Sequence, residues 1–417
     1  MNAFSWAVLL ATAGSLFTQC WLQWRQLRSI ARHRHAVPAA FRNSITLDEH
    51  QKAADYSSAR TRLRMASLWL DSALLLALTF GGGIAAAANL AAALTTQPQL
   101  SGMLTIALCL LASSIASLPL QLYGTFVIER RFGFSHVSVG LFISDQLKSL
   151  LLGVLLGAPL LLAVLWLIDH GGQLFWLWSW LLWCAFALAL SWAYPTLIAP
   201  RFNRFTPLSD AALQDRIQAL LQRCGFTSNG LFVMDGSRRS SHGNAYFTGL
   251  GNNKRIVFFD TLLDRLDHSQ IEAVLAHELG HFHHGHIRSR IALSFAGSLL
   301  FLWLFGTLHQ HPGFLAGLHT PAGNSGASLM LFMLCAPVMT FWLTPLGSLL
   351  SRRHEFQADA YACHHSSAAD LIAALTLLYR DNASTLTPDP LHSAFYDSHP
   401  PASLRIARLQ GNHHEPA

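Results

Sequence analysis

Residues 271–290 read IEAVLAHELGHFHHGHIRSR and contain the segment HELGH, with two histidines four positions apart. In a helix, His277 and His281 lie one turn apart on the same face, where two imidazoles can bind one Zn²⁺. Glu278 can then hold the attacking water and accept its proton. The stretch therefore predicts a hydrolytic zinc site, and the alternative is a solvated, histidine-rich helix.

The residues around this motif favour a helix. No glycine or proline interrupts the stretch before Gly280. An apolar face for packing is supplied by Ile271, Val274, Leu275, Leu279 and Phe282. We interpret the three later histidines as exposed residues or as neighbours of the ligands: His283, His284 and His286.

The composition indicates a membrane protein. Of 417 residues, 52% are hydrophobic and only 12% are charged, and the mean hydropathy is +0.34. A soluble protein needs more charge to cover its surface. The net charge of +6 is explained by membrane topology, so we expect no nucleic-acid partner. The six cysteines are scattered, which favours small buried side chains over a disulfide framework.

Seven apolar runs are long enough to cross a bilayer. They are residues 4–22, 67–93, 102–122, 149–168, 173–197, 291–308 and 328–350. The first run has basic residues after it and none before it, which is typical of a retained anchor with its N-terminus outside. Polar or helix-breaking residues within these runs should face protein or water, and they are Asp71, Ser113, Ser114, Ser117, Gln121, Pro337 and Pro345.

The distribution of positive charge predicts the topology. Four short segments, 1–3, 94–101, 169–172 and 309–327, contain no lysine or arginine, so all 28 lie in the other segments or at their membrane edges. This alternation fits seven spans with the basic loops inside. The alternative is that 67–93, which contains Gly81-Gly82-Gly83, is a re-entrant segment.

The chain then divides into five parts: 1–66, 67–197, 198–290, 291–350 and 351–417. The first is one span and a basic loop, in which Thr46 can cap a helix running to about Arg64. The third is the largest soluble insertion. It should contain an amphipathic helix at 210–224, strands at 230–235, 243–250 and 255–260, and a hairpin turn at Gly251-Asn252-Asn253.

A hydrolytic zinc ion needs a third protein ligand and one open position. The segment SRRHEFQADA at 351–360, which should continue the seventh span as a helix, offers Glu355. Asp359 lies one turn further on, where it could orient a ligand histidine. His354 is the alternative ligand, and a solvated helix end is the alternative interpretation of the whole segment.

Several segments resemble one family, the type I CAAX prenyl proteases, which are integral membrane gluzincins. They are HELGHFHHGH at 277–286, SRRHEFQADAYA at 351–362, SSHGNAYFTGLGNNKRIVFFDTLL at 240–263, IAPRFNRFTPL at 198–208, TLDEHQKAADY at 46–56, FVIERRFGFSH at 126–136 and SHPPASLRI at 398–406. The resemblance implies a mainly α-helical protein with seven transmembrane helices around a large water-filled chamber. It also implies a metalloprotease domain with a small sheet or hairpin at the inner end of that chamber.

The resemblance carries over site residues by motif. The zinc ligands, for one Zn²⁺ per chain, match His277, His281 and Glu355, and the catalytic base matches Glu278. Residues that contact the peptide near the scissile bond match Asn244, His399 and Arg405. Asn244 and His399 can also donate hydrogen bonds to the developing oxyanion.

We therefore expect a multi-pass zinc endopeptidase whose active site faces the cytoplasm. Its partners should be the lipid bilayer and a membrane-associated peptide or protein, which can be lipidated as CAAX substrates are. The chain resembles a compact prokaryotic member, which would place it in a bacterial inner membrane. The alternatives are a membrane-protein quality-control protease and a non-proteolytic membrane protein with a structural zinc.

Overall fold

The structure, a computed structural model, describes residues 1–248 and 255–411. The predicted turn at Gly251-Asn252-Asn253 lies outside these residues. The first half of the chain folds into α1 Ala3–His33, α2 Leu47–Leu78, α3 Gly83–Leu94, α4 Pro98–Tyr123, α5 Glu129–Arg131, α6 Val139–Leu152, α7 Ala158–His170 and α8 Phe175–Ala193.

The second half contains the sheet and the remaining helices. Its elements are β1 Phe205–Pro207, α9 Ala211–Arg223, β2 Leu231–Met234, β3 Ala245–Thr248, β4 Arg255–Phe259, α10 Asp260–Leu263, α11 His268–His283, α12 His286–Leu308, α13 Pro312–Gly317, α14 Ser325–Thr340, α15 Thr344–His365, α16 Ala368–Asp381, α17 Pro390–Tyr396 and α18 Ala402–Gly411. Within the described residues all six cysteines are free.

Six helical runs of the described chain are long and apolar enough to cross a membrane. They contain α1, α4, α6 with α7, α8, α12, and α14 with α15, and they cover six of the seven predicted spans. The seventh, 67–93, is the pair α2 and α3, which meet at an angle of 57°. Gly82, with φ of 73°, makes this bend possible because an L side chain is strained there. The multi-span helical fold is confirmed, whereas a seventh span at 67–93 stays a prediction beside the re-entrant alternative, because a bent helix pair fits both.

Helix α2 is longer than predicted. It begins at the expected cap, where Thr46 and Glu49 form a reciprocal capping box. It then runs to Leu78 instead of ending near Arg64, because no glycine or proline separates the basic loop from the apolar run after it.

The part boundaries at residues 66, 197, 290 and 350 stay predictions.

The membrane helices pack most closely where two glycines meet. A Cβ atom added at Gly326 of α14 would overlap the Gly102 carbonyl oxygen of α4. Only glycine at both positions lets these backbones cross so closely, as small residues do in membrane helix pairs. The surrounding core includes Ile106, Leu165 and Phe305, each 3% exposed or less.

The soluble part is built on a four-stranded sheet with the order β1-β2-β4-β3. The predicted strands at 230–235 and 255–260 are confirmed as β2 and β4, and the described part of 243–250 contains β3. Strand β3 pairs antiparallel with β4, as the predicted hairpin requires. Strand β3 lies at the edge of the sheet. One side of β3 can therefore accept an added peptide strand.

Two cavities lie next to this sheet and the membrane helices. The first has a volume of about 840 Å³ and is lined by residues of β3, α11, α16 and the loop before α18. The second has a volume of about 960 Å³ and lies between membrane helices, where Asp71, Ser117 and Gln121 line it. Both cavities are lined by Arg60, Tyr396 and Asp397, so the second cavity, which we call the membrane chamber, adjoins the first at these residues.

Candidate metal centre

Helices α11 and α15 bring the HELGH motif against the segment that follows the last span. Gly280 makes this contact possible, because a Cβ atom there would lie 2.8 Å from the Ala358 Cα atom. Helix α11 starts from a capping box made by Asp267 and Gln270. The close approach places one face of α15 directly opposite the two histidines of the motif.

Three side chains converge at this contact. The Nε2 atom of His277 lies 3.5 Å from Glu355 Oε2, and the Nε2 atom of His281 lies 3.4 Å from Glu355 Oε1. One ligand atom from each residue lies within 4.8 Å of the others. Among the described residues, this is the group of histidine, cysteine and carboxylate side chains that could hold a metal ion.

The donor set fits a divalent cation. The Nδ1 atom of His277 is occupied by Asp359 Oδ1 at 2.9 Å, and the Nδ1 atom of His281 by His286 Nδ1 at 2.9 Å. Both Nε2 atoms are therefore left to face the carboxylate of Glu355. That carboxylate is 2% exposed, and His399 Nδ1 also lies 2.7 Å from its Oε2 atom. A buried carboxylate that faces two imidazole Nε2 atoms suits a cation, because the carboxylate and both nitrogens can bind it together.

Arg405 of α18 forms the base of the cluster. Its Nε atom donates to Asp359 Oδ2 at 2.9 Å and its Nη2 atom to Asp359 Oδ1 at 2.5 Å. The Nη1 atom lies 3.5 Å from Glu355 Oε2. Burial lowers the pKa of His277, but Asp359 and Glu355 outweigh that effect and raise it to about 9. The carboxylates at the base of the site therefore favour positive charge beside the His277 ring, which a metal ion at Nε2 can supply in place of the proton.

The burial of Arg405 bears on its predicted role, which is to contact the bound peptide. Its side chain is only 5% exposed, although the residue does line the first cavity. Its polar atoms contact Asp359 and Glu355, so its strongest contacts orient other site residues. A direct contact with the peptide stays a prediction.

The three histidines after the motif are either exposed or neighbours of a ligand, as the sequence suggested. His283 and His284 are exposed, whereas His286 is 3% exposed. Its Nε2 atom lies 2.9 Å from Gln357 Oε1, and its ring stacks on His354 with centroids 3.9 Å apart. His354, the alternative ligand, therefore contacts His286, which lies between it and His281. No local pattern indicated the role of Gln357, which contacts His286 across a gap of 71 residues.

The other predicted site residues line the first cavity. Glu278 lies in α11, and Asn244 comes directly before edge strand β3, where its side chain is exposed. His399 lies on the opposite wall, with its Nδ1 atom 2.7 Å from Glu355 Oε2. The structure thus brings together every residue that the sequence assigned to the site.

The sequence did not indicate the polar cluster at the far wall of this cavity. The hydroxyl of Tyr56 donates to Glu129 at 2.8 Å, and Arg60 Nη1 donates to the same carboxylate at 2.9 Å. The His242 ring stacks on Phe134 with centroids 4.4 Å apart. No local pattern could have found this cluster, because Tyr56 and Glu129 are 73 residues apart.

Comparison with known families decides the classification. Residues 26–204 match the family model described as the CAAX prenyl protease N-terminal domain with five membrane helices. Residues 207–413 match the model of peptidase family M48.

The chain belongs to peptidase family M48. Relatives named CAAX prenyl protease 1 or its homologue support this membership. The Arabidopsis thaliana protein is 39% identical over 72% of this chain and 71% of its own length. The Saccharomyces cerevisiae protein is 39% identical over 71% of this chain and 69% of its own length. The Homo sapiens protein is 34% identical over 73% of this chain and 72% of its own length.

A solved structure has the same fold. The crystal structure of S. mikatae Ste24p matches with a TM-score of 0.90 and 30% identity, over 98% of this chain and 99% of that one. The chain is therefore an integral, multi-pass membrane metalloendopeptidase, as the sequence predicted. The named relatives are eukaryotic, so a prokaryotic origin stays a prediction.

Proposed function

We propose that this M48 peptidase is a zinc enzyme with one Zn²⁺ per chain, held by His277, His281 and Glu355. The observation that carries the proposal is the convergence of two imidazole Nε2 atoms on a buried carboxylate, with the remaining nitrogens occupied by Asp359 and His286. Nitrogen and oxygen donors in this number suit a catalytic zinc site, which keeps one position open. When bound, the zinc polarises the scissile carbonyl and acidifies water.

The side chains around this centre supply the proton transfer and the hydrogen bonds. Glu278 accepts a proton from the attacking water and passes it to the leaving amine. His399 and Asn244 face the same cavity and donate to the oxygen on which negative charge develops. Asp359, fixed by Arg405, holds the His277 ring in one orientation.

The substrate we propose is a membrane-associated protein with a CAAX-type C-terminus, in keeping with the names of the relatives. Edge strand β3 offers backbone groups to an extended peptide. The first cavity meets the membrane chamber at Arg60 and Tyr396. A lipidated chain end can therefore reach the centre from the bilayer side.

Charge distribution supports the orientation of the chain. The segments we place outside contain no lysine or arginine, so the positive-inside rule puts the M48 domain in the cytoplasm. In a chain without its own cysteines, Gly172→Cys and Ala322→Cys should react with an impermeant maleimide on intact cells. Ser209→Cys and Gln410→Cys should react only after lysis. Labelling of Ser209→Cys on intact cells would overturn this orientation.

The function is tested with purified protein and a farnesylated peptide that ends in a CAAX sequence. Wild type should release the C-terminal tripeptide, identified by mass spectrometry, and Glu278→Gln should release none while it keeps its metal. His281→Ala and Glu355→Ala should lose both cleavage and zinc, measured by elemental analysis. The control is His284→Ala, since that side chain is exposed outside the cluster.

Two results would contradict this proposal. Full metal content in Glu355→Ala would show that the third ligand lies elsewhere. Full cleavage by Glu278→Gln would remove the proposed base. If a non-prenylated membrane protein were cleaved and the farnesylated peptide were not, the quality-control alternative would replace the CAAX-type substrate.

A further inference from the structure

A long apolar groove lies on the membrane-facing surface, away from the metal centre. It has a volume of about 650 Å³, which is in the range of small-molecule sites. One wall comes from α6 and the turn after it, and the other from α8 and the segment that leads to β1. The lining is mostly aliphatic and includes Lys148, Leu151, Leu155, Ala189, Leu197 and Arg201.

The turn that carries part of one groove wall lies between two glycines. Residues Gly153–Gly157 form a π-helical turn between α6 and α7, and a Cβ atom at either glycine would meet nothing within 4 Å. The walls carry Leu151, Leu155 and Leu197, which are 66%, 63% and 52% exposed. In a bilayer these surfaces must be covered by hydrocarbon.

Charge is present at one end of this groove only. Lys148 and Arg201 are its two charged lining residues, and no carboxylate lines it. The Lys148 ammonium donates to the Arg201 carbonyl oxygen at 3.2 Å. Among the described residues, no carboxylate lies within ion-pair distance of either cation. The Lys148 ammonium also lies 5.9 Å from the centre of the Phe202 ring, so the pair presents positive charge without a carboxylate partner at this end of the groove.

We propose that this groove is a binding site for an anionic phospholipid, whose phosphate contacts Lys148 and Arg201 and whose acyl chain lies along the leucines. Basic pockets between membrane helices, next to apolar surface, suit anionic headgroups. A zwitterionic lipid offers the same acyl chain, but its headgroup also carries a positive charge. Lys148 and Arg201 repel that charge and therefore favour an anionic lipid. The site lies outside the proposed catalytic machinery.

The bound lipid also stabilises the approach to the edge strand. Arg239 pairs with Asp145 of α6 at 3.0 and 3.1 Å and with Asn203 at 2.7 Å. Asp145 is three positions from Lys148, and Asn203 is two positions from Arg201. A phosphate that joins the two cations therefore holds together the same two segments that Arg239 connects, just before β3.

The charge requirement is tested in nanodiscs that contain phosphatidylglycerol and phosphatidylcholine. Native mass spectrometry counts the lipids that remain on the released protein. For Lys148→Gln/Arg201→Gln, the retained ratio of phosphatidylglycerol to phosphatidylcholine should fall about thirtyfold, since each cation near a membrane contributes roughly a factor of five. The control is Arg28→Gln/Arg32→Gln, which removes equal charge from exposed positions of α1 and should retain the wild-type ratio.

The chain requirement is tested with the cations intact. Ala189→Trp fills the groove and should lose the retained phosphatidylglycerol, whereas Ala185→Trp, exposed on the same helix outside the lining, should keep it. Phosphatidylglycerol added in neutral detergent should raise the melting temperature of wild type and of Ala185→Trp only.

Three outcomes would overturn the proposal. One is an equal loss of the anionic lipid in both double variants, which would indicate general surface charge. Another is retention by Ala189→Trp, which would place the lipid elsewhere. The third is displacement of phosphatidylglycerol by a farnesylated peptide, which would make the isoprenyl chain the occupant.

Discussion

The base and the rim of the metal centre are built in opposite ways. At the base, Glu355, Asp359 and Arg405 are 1%, 3% and 4% exposed, and each contacts another charged group. At the rim, the His399 side chain is 60% exposed and Asn244 is exposed beside an unpaired strand edge. The two regions are nevertheless in contact, since His399 reaches Glu355.

The difference shows how one site separates two tasks. Buried charges are tolerated only when each has a partner, so the base is rigid before any substrate arrives. Exposed donors cost little in the free enzyme and gain strength only when substrate excludes water from them. Changes at the base should therefore affect folding and metal together, and changes at the rim should affect turnover alone.

The largest effect should come from Arg405→Met. This change leaves Asp359 buried without its partner, so the free energy of unfolding should fall by about 3–5 kcal/mol. Metal affinity should fall about 10–100-fold because the His277 ring loses its fixed orientation. Denaturant unfolding and chelator competition measure the two quantities.

Arg408→Met is the matched control for Arg405→Met, on the same helix. Its exposed guanidinium lies 4.6 Å from the centre of the Phe356 ring, a contact of about 0.5–1 kcal/mol. Equal losses in the two variants would contradict a special role for the buried base.

At the rim, His399→Ala should lower kcat by about 10²- to 10³-fold, because one donor to the developing charge is lost. Metal content and the unfolding curve should stay near wild type. His399→Gln, which keeps a donor, should recover part of the rate. An unstable but fully active His399→Ala would show that the residue only packs its loop.

The contact that joins the two helices of the base can be tested with Gly280→Ala. The new methyl group would clash with Ala358, and separating α11 from α15 should cost about 1–3 kcal/mol. The affinity for the metal should fall together with the stability. Gly297→Ala is the control, because a Cβ atom there meets nothing within 4 Å. Unchanged metal affinity in Gly280→Ala would show that the helices can separate without disturbing the ligands.

The smallest effect concerns Asp389, which supports the segment leading to the rim. Burial raises the pKa of Asp389, but Arg25 and the His392 backbone N–H outweigh it and hold the pKa below its usual value. The stabilisation is therefore present above pH of about 4 and is lost as the pH falls through the lower, folded value. Asp389→Asn should cost about 1 kcal/mol at pH 7, a modest figure since Arg25 is 35% exposed.

Melting temperatures of wild type and Asp389→Asn across pH measure this effect. The two curves should approach each other below pH of about 4. A constant difference down to pH 3 would show that the helix cap, and not the charge, carries the contribution.

The sequence predicted those features that depend on local pattern. Spacing within HELGH placed His277 and His281 on one face, and hydropathy found the spans. It could not predict that Arg405 would pair with Asp359 across 46 residues, nor the cluster of Tyr56 and Glu129, because only the fold brings these residues together. The bend at Gly82 was visible as a glycine run, but its angle depends on packing.

Helix α15 belongs to an apolar run long enough to cross the membrane, and its later part forms one wall of the metal centre. Leu346 and Leu349 are 63% and 44% exposed on the same helix as Glu355, which follows Leu349 after about 9 Å of helical rise. Spanning helices tilt when the hydrocarbon thickness of the bilayer changes. A tilt of α15 that α11 did not follow would move the Glu355 carboxylate relative to His277 and His281. Through this helix, the thickness of the host bilayer would act on the ligand geometry of the peptidase.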